Sequence, residues 1–339
     1  MKKWVLITGC DSGFGADLLD KLVSNGGVFD GIFACFHRPE SVENYSKNNS
    51  FFFHPIVLDI CHDKSVDEMV TIVSSTLADT KGVLAAVVNN AGGLETAGPI
   101  EWTEINSDIN QMNLNFFGQV RVTRGLLPLV RQASQYCSPR IVFTSSLMGL
   151  VAAPFGGSYA ASKFALEGWC DSLRREMLCF GISVHLVEPG VFCRTKFYDQ
   201  YSSLVPIRIP PGYGDQYREY CINRLCRLKN FFGSINSRVE VAHAFLHALT
   251  AKFPKYRYRV GYDSWIVGSL FSWLPTIFSD LAITVCDTVI LFDRRMTPAL
   301  PESSRFTTWT NMVTFSILHY NQSWMFVVCF ILAIIIFSF

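Results

Sequence analysis

Tyr159 and Lys163, four residues apart, are the pair in this chain whose types and spacing suit acid–base chemistry. On a helix, residues so spaced share one face, about 5–6 Å apart at Cβ, which sets an ammonium beside a phenol. A free tyrosine titrates near pH ~10 and is a poor base at neutrality. A fixed cation favours the phenolate, and lowering the pKa by ~3 units requires about 4 kcal/mol of differential stabilisation. Ser146 stands upstream on what reads as a loop, where its hydroxyl can orient a substrate oxygen. Tyr-x-x-x-Lys alone is common and usually marks nothing more than a surface pair, so the weight rests on the elements around it.

Residues 140–163 read RIVFTSSLMGLVAAPFGGSYAASK. A short run rich in Val, Ile and Phe, bounded by Ser-Ser, predicts a buried strand with hydroxyls at its C-terminal end, then a loop and a helix start. Near the N-terminus, residues 5–8 predict another buried strand, which runs into Gly9-Cys10-Asp11-Ser12-Gly13-Phe14-Gly15. Leu18, Leu19, Leu22 and Val23 then recur at helical spacing until Asn25-Gly26-Gly27 stops the helix. Strand, glycine turn and helix make a cradle for a dinucleotide: glycines admit the pyrophosphate to the backbone, and the helix N-terminus offers it free N–H groups. The spacing is Gly-x-x-x-Gly-x-Gly, and such a turn by itself often only closes a βα unit.

The second strand, 31–36, ends in His37-Arg38 with no acid for a ribose. Arg38 suits the 2′-phosphate of NADP or is an ordinary solvated loop residue. Residues 51–58 predict a third strand ending at Asp59, where a side chain can meet an adenine, and Ser65-x-x-Glu68 reads as a capping box that starts the next helix. The near-continuous apolar run 83–88 predicts a central parallel strand covered on both faces, ending in Asn89-Asn90-Ala91-Gly92-Gly93. A helical segment follows through Leu127, and Asn115 within it lies between apolar neighbours, which points to a buried polar role. Residues 182–187 form another buried strand, followed by Glu188-Pro189-Gly190 and Thr195, and Ser237-x-x-Glu240 starts a helix through Leu249. Strands alternating with helices, with Gly and polar motifs after the strand ends, describe an α/β doubly wound parallel sheet with its ligand along the carboxyl edge.

The net charge of +1 gives no electrostatic case for a nucleic-acid partner. Eleven cysteines without a Cys-x-x-Cys pair favour reduced thiols, and the dispersed histidines predict no metal. No signal peptide is expected at the N-terminus. Residues 324–339 carry no charge over sixteen positions. As a helix they would span ~24 Å, short of a ~30 Å hydrocarbon core, so they predict a membrane anchor that spans with local thinning or inserts part way. We expect a catalytic domain over 1–262 with a substrate lid at 196–232, an apolar membrane-associated extension over 263–323, and the anchor. Arg294, Arg295 and Arg305 before the anchor predict a catalytic domain facing the cytosol, with the endoplasmic reticulum as the expected membrane.

Together Thr8-Gly9-x-x-x-Gly13-x-Gly15, Asn90-Ala91-Gly92, Asn115, Ser146, Tyr159-x-x-x-Lys163 and Pro189-Gly190 resemble the short-chain dehydrogenase/reductase family, in order and spacing, over about residues 1–260. The wording Gly-Cys-Asp-Ser-Gly-Phe-Gly, Val-Glu-Pro-Gly and Arg257-Tyr258 leading to Gly261-Tyr262-Asp263 resembles the branch that holds retinol dehydrogenases, hydroxysteroid dehydrogenases and hydroxybutyrate dehydrogenase. The resemblance implies a Rossmann-like fold and a lipophilic retinoid or steroid substrate, with keto-lipids or hydroxybutyrate-type acids as the other substrate class. A membrane-tethered cofactor-binding protein without catalysis is the competing functional class. The family resemblance implies Tyr159 as general acid/base, Lys163 as its activator and ribose ligand, Ser146 as substrate positioner and Asn115 as support for a proton-relay water. On the cofactor side it implies roles for Ser12 and Phe14 in the glycine turn, Asp59 at adenine, Asn90 at the adenosine side and Thr195 at the carboxamide, with further cofactor contacts from Ala91, Gly92, Tyr159, Pro189 and Gly190. The branch mostly uses NAD, while Arg38 leaves NADP open, and a homodimer is implied by resemblance alone.

Overall fold

The computed structural model describes residues 1–46, 53–192 and 237–271. All of these except 269–271 belong to one compact unit. Its frame is a parallel sheet of β1 (Lys2–Thr8), β2 (Gly31–Phe36), β3 (Phe53–Val57), β4 (Gly82–Asn89), β5 (Arg140–Thr144), β6 (Ser183–Pro189) and β7 (Arg257–Val260). The order across the sheet is β3-β2-β1-β4-β5-β6-β7. The order reverses between β1 and β4, which pair directly, and in such sheets the crevice outside the strand C-termini at that switch point receives the ligand.

Alternation along each strand feeds two cores. Trp4, Leu6, Phe33, Leu84, Val87, Ile141 and Phe143 face one side, and Val5, Ile7, Ile32, Ala34, Ala86, Val88 and Val142 the other. Helices α3 (Asp63–Thr80), α5 (Gly118–Ala133) and α6 (Gly157–Met177) cover the first side, with Met69, Val73, Leu126, Val130, Leu166 and Leu173 pointing inward. Helices α1 (Gly13–Asn25) and α7 (Arg238–Thr250) cover the second with Leu18, Leu19, Leu22, Val241 and Phe245, and a short α2 (Pro39–Ser46) follows β2. Each such side chain, fully removed from water, contributes about 1.5–3 kcal/mol, so strands without an exposed face read as continuous apolar runs. Arg140, entering β5, donates to the carbonyls of Ala248 and Ala251 at 2.7 and 2.5 Å and closes the C-terminus of α7.

Four sequence expectations need correction. Helix α3 starts at Asp63 after His62, not at a Ser65 capping box; Asp59 Oδ1 accepts the Cys61 N–H at 2.9 Å in a turn that starts the helix early, and Ser65 Oγ accepts the Asp59 N–H at 3.0 Å. The first helix starts at Gly13, inside the glycine turn. The segment through Leu127 is α4 (Ile105–Met112), a π-helical turn over Asn113–Phe117 and then α5. Finally, Arg257–Val260 forms a seventh strand, which the alternation of two arginines with Tyr258 and Val260 did not announce over four residues. Thr195, the lid at 196–232, nearly all of the 263–323 extension and the anchor at 324–339 lie outside the described residues. Among the described residues no helix is long and apolar enough to cross a membrane.

Candidate active site

The glycine turn lies between β1 and α1. Gly9 and Gly13 take φ of +72° and +67°, a region closed to most side chains, and a Cβ on Gly13 would meet open space. Gly15 packs so closely that a Cβ there would fall on the Gly9 carbonyl and the Asn90 amide. Ser12, at the N-cap of α1, makes no side-chain cap bond. The first-turn N–H groups thus keep no side-chain acceptor at the cap, and with the helix dipole they suit an anionic pyrophosphate. Phe14 packs edge-on against the buried Phe192, 5.5 Å between ring centres, and ties α1 to the segment after β6.

Behind the turn, the buried Thr8 hydroxyl accepts the N–H groups of Asn90 and Ala91 at 3.0 and 2.9 Å. Asn90 donates to the carbonyls of Thr8 and Gly9 at 3.1 and 3.2 Å and accepts from Thr144 Oγ1 at 3.2 Å, knotting the ends of β1, β4 and β5 together. The next residues are held by three amides one helical turn apart. Gln111 binds Gly93 O and the Glu95 N–H, Asn115 accepts the Gly93 N–H at 2.9 Å, and Gln119 donates to Ala91 O at 3.1 Å. Sequence reading found Asn115 and missed Gln111 and Gln119, though their spacing of four on either side was the available signal. Asn115 sits in the π-helical turn, completely buried, and its Nδ2 donates to Ser162 Oγ at 3.1 Å.

Tyr159 and Lys163 both point inward from α6, at 9% and 3% exposure, with the Lys163 nitrogen 5.8 Å from the centre of the Tyr159 ring. Lys163 Nζ donates to Thr144 O at the end of β5, 2.8 Å away. Burial pulls its pKa down to about 8, opposed by the negative charge of Glu167 and by Cys170. Ser146 caps the short turn that follows β5, its Oγ accepting the Met148 N–H at 3.1 Å, while Met148 packs with Tyr159, Leu94 and Ala97. Strand β5 therefore presents both ends of the arrangement, the serine turn and the carbonyl that seats the amine.

The Pro189-Gly190 loop is fixed from α8 (Tyr262–Phe271). Asp263 accepts the Val191 N–H at 2.6 Å, Ser264 Oγ donates to Glu188 O at 2.7 Å, and a Cβ on Gly190 would collide with the Asp263 carboxylate. At the other end, Asp11 accepts the N–H groups of His37 and Arg38 at 2.7 and 3.1 Å, and the Arg38 guanidinium lies 3.6 Å from the same carboxylate. Burial alone would raise the Asp11 pKa; hydrogen bonds from His37, Ser41 and Arg38 and the arginine's charge outweigh it and hold the carboxyl below its usual range. The acid missing after β2 is thus replaced by one from the glycine turn, and it engages protein groups. Asp59 sits at the C-terminal end of β3, half engaged in its own turn and 3.5 Å from His62.

A doubly wound parallel sheet with an open glycine turn at its switch point, beside a buried Tyr–Lys pair, defines a dinucleotide-dependent α/β oxidoreductase. The chain belongs to the short-chain dehydrogenase family, whose model matches residues 3–203, and is an NAD(P)-dependent dehydrogenase/reductase. It is similar to retinol dehydrogenase 5 of Mus musculus, 34% identical over 288 residues that cover 83% of this chain and 87% of the relative. It is as similar, 34% over 292 residues, to 17-beta-hydroxysteroid dehydrogenase type 6 of Homo sapiens, covering 83% of this chain and 88% of the relative. Among solved structures, a short-chain dehydrogenase from Streptomyces avermitilis aligns with a TM-score of 0.65 at 26% identity, over 85% of this chain and 97% of that one.

Proposed function

We propose that the chain interconverts a hydroxyl and a carbonyl on a lipophilic substrate of the retinoid or steroid class. The observation that carries this reading is the seat of Lys163: a buried amine, bonded to Thr144 O and 5.8 Å from the Tyr159 ring, in a chain 34% identical to a retinol dehydrogenase and a hydroxysteroid dehydrogenase. In this reading Tyr159 Oη exchanges a proton with the substrate oxygen, and the ammonium of Lys163 favours the phenolate that takes it up. Ser146 Oγ orients the same oxygen, and Asn115 supports a relay water while it anchors Gly93.

NAD or NADP, when bound, supplies the hydride acceptor or donor. Thr8, Gly9, Ser12, Gly13, Phe14 and Gly15 would form its pyrophosphate cradle, with Asn90 at the adenosine side and Ala91 and Gly92 next to it in the chain. Asp59 would meet the adenine, Lys163 the nicotinamide ribose, Thr195 the carboxamide and Arg38 a 2′-phosphate, with Pro189 and Gly190 also on the cofactor side. The apolar, aromatic composition of 263–323 and the uncharged stretch 324–339 support attachment to a membrane, the endoplasmic reticulum in this reading, with the catalytic domain to the cytosol.

The test is turnover by the purified full chain in detergent with NAD and NADP against retinol, hydroxysteroids and 3-hydroxybutyrate. Turnover of a retinoid or steroid is expected. Turnover confined to the short acid would overturn the substrate class.

A further inference from the structure

A cluster of charges behind the site, two buried carboxylates among half-buried partners, joins three of its parts. Arg257 on β7 donates through Nε and Nη2 to Glu167 Oε2 at 3.2 and 2.9 Å. The same guanidinium lies 3.1 Å from Asp171 and 3.1 Å from Glu188 Oε1, and Arg259 adds a contact of 3.3 Å to Glu188 Oε2. Glu188 is fully buried and Glu167 only 7% exposed. Each carboxylate belongs to a different part of the site. Glu188 directly precedes Pro189-Gly190, and Glu167 lies four residues beyond Lys163 on the inward face of α6. Glu167 also touches the serine turn: a Cβ on Gly149 would lie 3.1 Å from Glu167 Cγ and 2.7 Å from Ser145 Oγ.

Charges taken out of water persist only where partners compensate them. Arg257 takes Glu167 Oε2, while the buried Oε1 lies beside the Ser145 hydroxyl; burial raises the Glu167 pKa, and Ser145 and the Arg257 charge oppose that rise. Lys163 and Glu167 stand one helical turn apart among the buried residues of α6, so the carboxylate's field reaches the amine through a poorly solvated interior. We propose that Glu167 is a positioning residue for the reaction: it keeps Lys163 an ammonium in its buried seat and, through Arg257, ties α6 to the Pro189-Gly190 loop. This inference rests on the reading of Tyr159 and Lys163 given above. Asp171 and Cys170 on α6, Glu188 on β6 and Arg257 and Arg259 on β7 are the other titratable or charged groups around it. An ammonium is complete below its pKa and is lost as pH rises through it. Burial has already brought that of Lys163 to about 8, and Glu167 is the foremost group acting against the fall.

The experiment is the pH dependence of kcat and KM for alcohol oxidation by the full chain and its Glu167→Gln and Glu167→Asp variants. Glu167→Gln is expected to move the alkaline fall of kcat about one pH unit lower and to cut kcat about tenfold at the upper end of the wild-type plateau. The KM for cofactor should change far less, and Glu167→Asp should restore most of the profile. An unshifted profile in Glu167→Gln overturns the inference. Should that variant not fold, Glu167→Met, which keeps the buried volume and removes the charge, is read in the same way. Tyr159→Phe separates the two failures. If it stays active, the underlying acid–base reading is wrong; if it is dead while the Glu167→Gln profile stays put, only the present inference falls.

Discussion

The two sides of the switch point are built on opposite principles. On the side of β1, β2 and α1, the surface offered to a ligand is backbone: three glycines, an uncapped helix start and N–H groups. The polar side chains there, Thr8, Asn90 and Asp11, bind the protein's own backbone. On the side of β5, β6 and α6, the surface is made of ionisable side chains, Tyr159 and Lys163, set in a poorly solvated environment and backed by Glu167, Glu188 and Arg257. The first side depends on atoms being absent, and the second on charge being present where water is not.

Perturbations of each kind should therefore separate cleanly. The largest effect is expected from Tyr159→Phe, which removes one hydroxyl: kcat should fall about 10³-fold, within the usual range for general acid–base groups, with cofactor affinity intact by fluorescence titration. Gly15→Val adds atoms to the other side, where a Cβ has no room beside the Gly9 carbonyl. Cofactor affinity should drop about 100-fold and the melting temperature should fall, because overpacking costs about 1–3 kcal/mol. Equal loss of cofactor affinity in both variants would erase the contrast.

His185 sharpens the point about charge without water. It is fully buried on β6, its Nδ1–H donating to Lys255 O at 2.7 Å and its Nε2 2.8 Å from Ser183 Oγ. Burial pulls its pKa down to about 4. The unfolded chain, at the ordinary value of ~6.5, takes up the proton first, so stability should decline as pH falls from about 6.5 to 4, by up to roughly 3 kcal/mol. Denaturant titrations at pH 7 and pH 4.5 measure this, and His185→Gln should flatten the part due to this residue. The smallest effect is expected at the exposed Arg38. Arg38→Ala should weaken NADP about tenfold and leave NAD unchanged; an equal effect on both would make it a solvated loop residue paired with Asp11.

Much of this molecule was legible in the residues alone. Strand β2 falls on 31–36 as read, and β4, β5 and β6 fall within two residues of their apolar runs, because strands buried on both faces leave no room for polar residues. Tyr159 and Lys163 were visible through spacing, Ser146 through its place on the loop after a strand, and Asn115 through an amide among apolar neighbours. What sequence left hidden is long-range. Asp11 reaches across 26 positions to His37, Asp263 across 72 to Val191, and Arg257 across 90 to Glu167. No local pattern announces such pairings, since each is ordinary at its own position.

The amino-acid sequence by itself determined the parallel doubly wound sheet, the glycine turn and the Tyr–Lys pair, since periodicity, turn chemistry and helical spacing act over a few residues. Only the tertiary structure decided which carboxylates and amides stand behind them. Burial and pairing of charge depend on strands and helices distant in the chain arriving at one carboxyl edge.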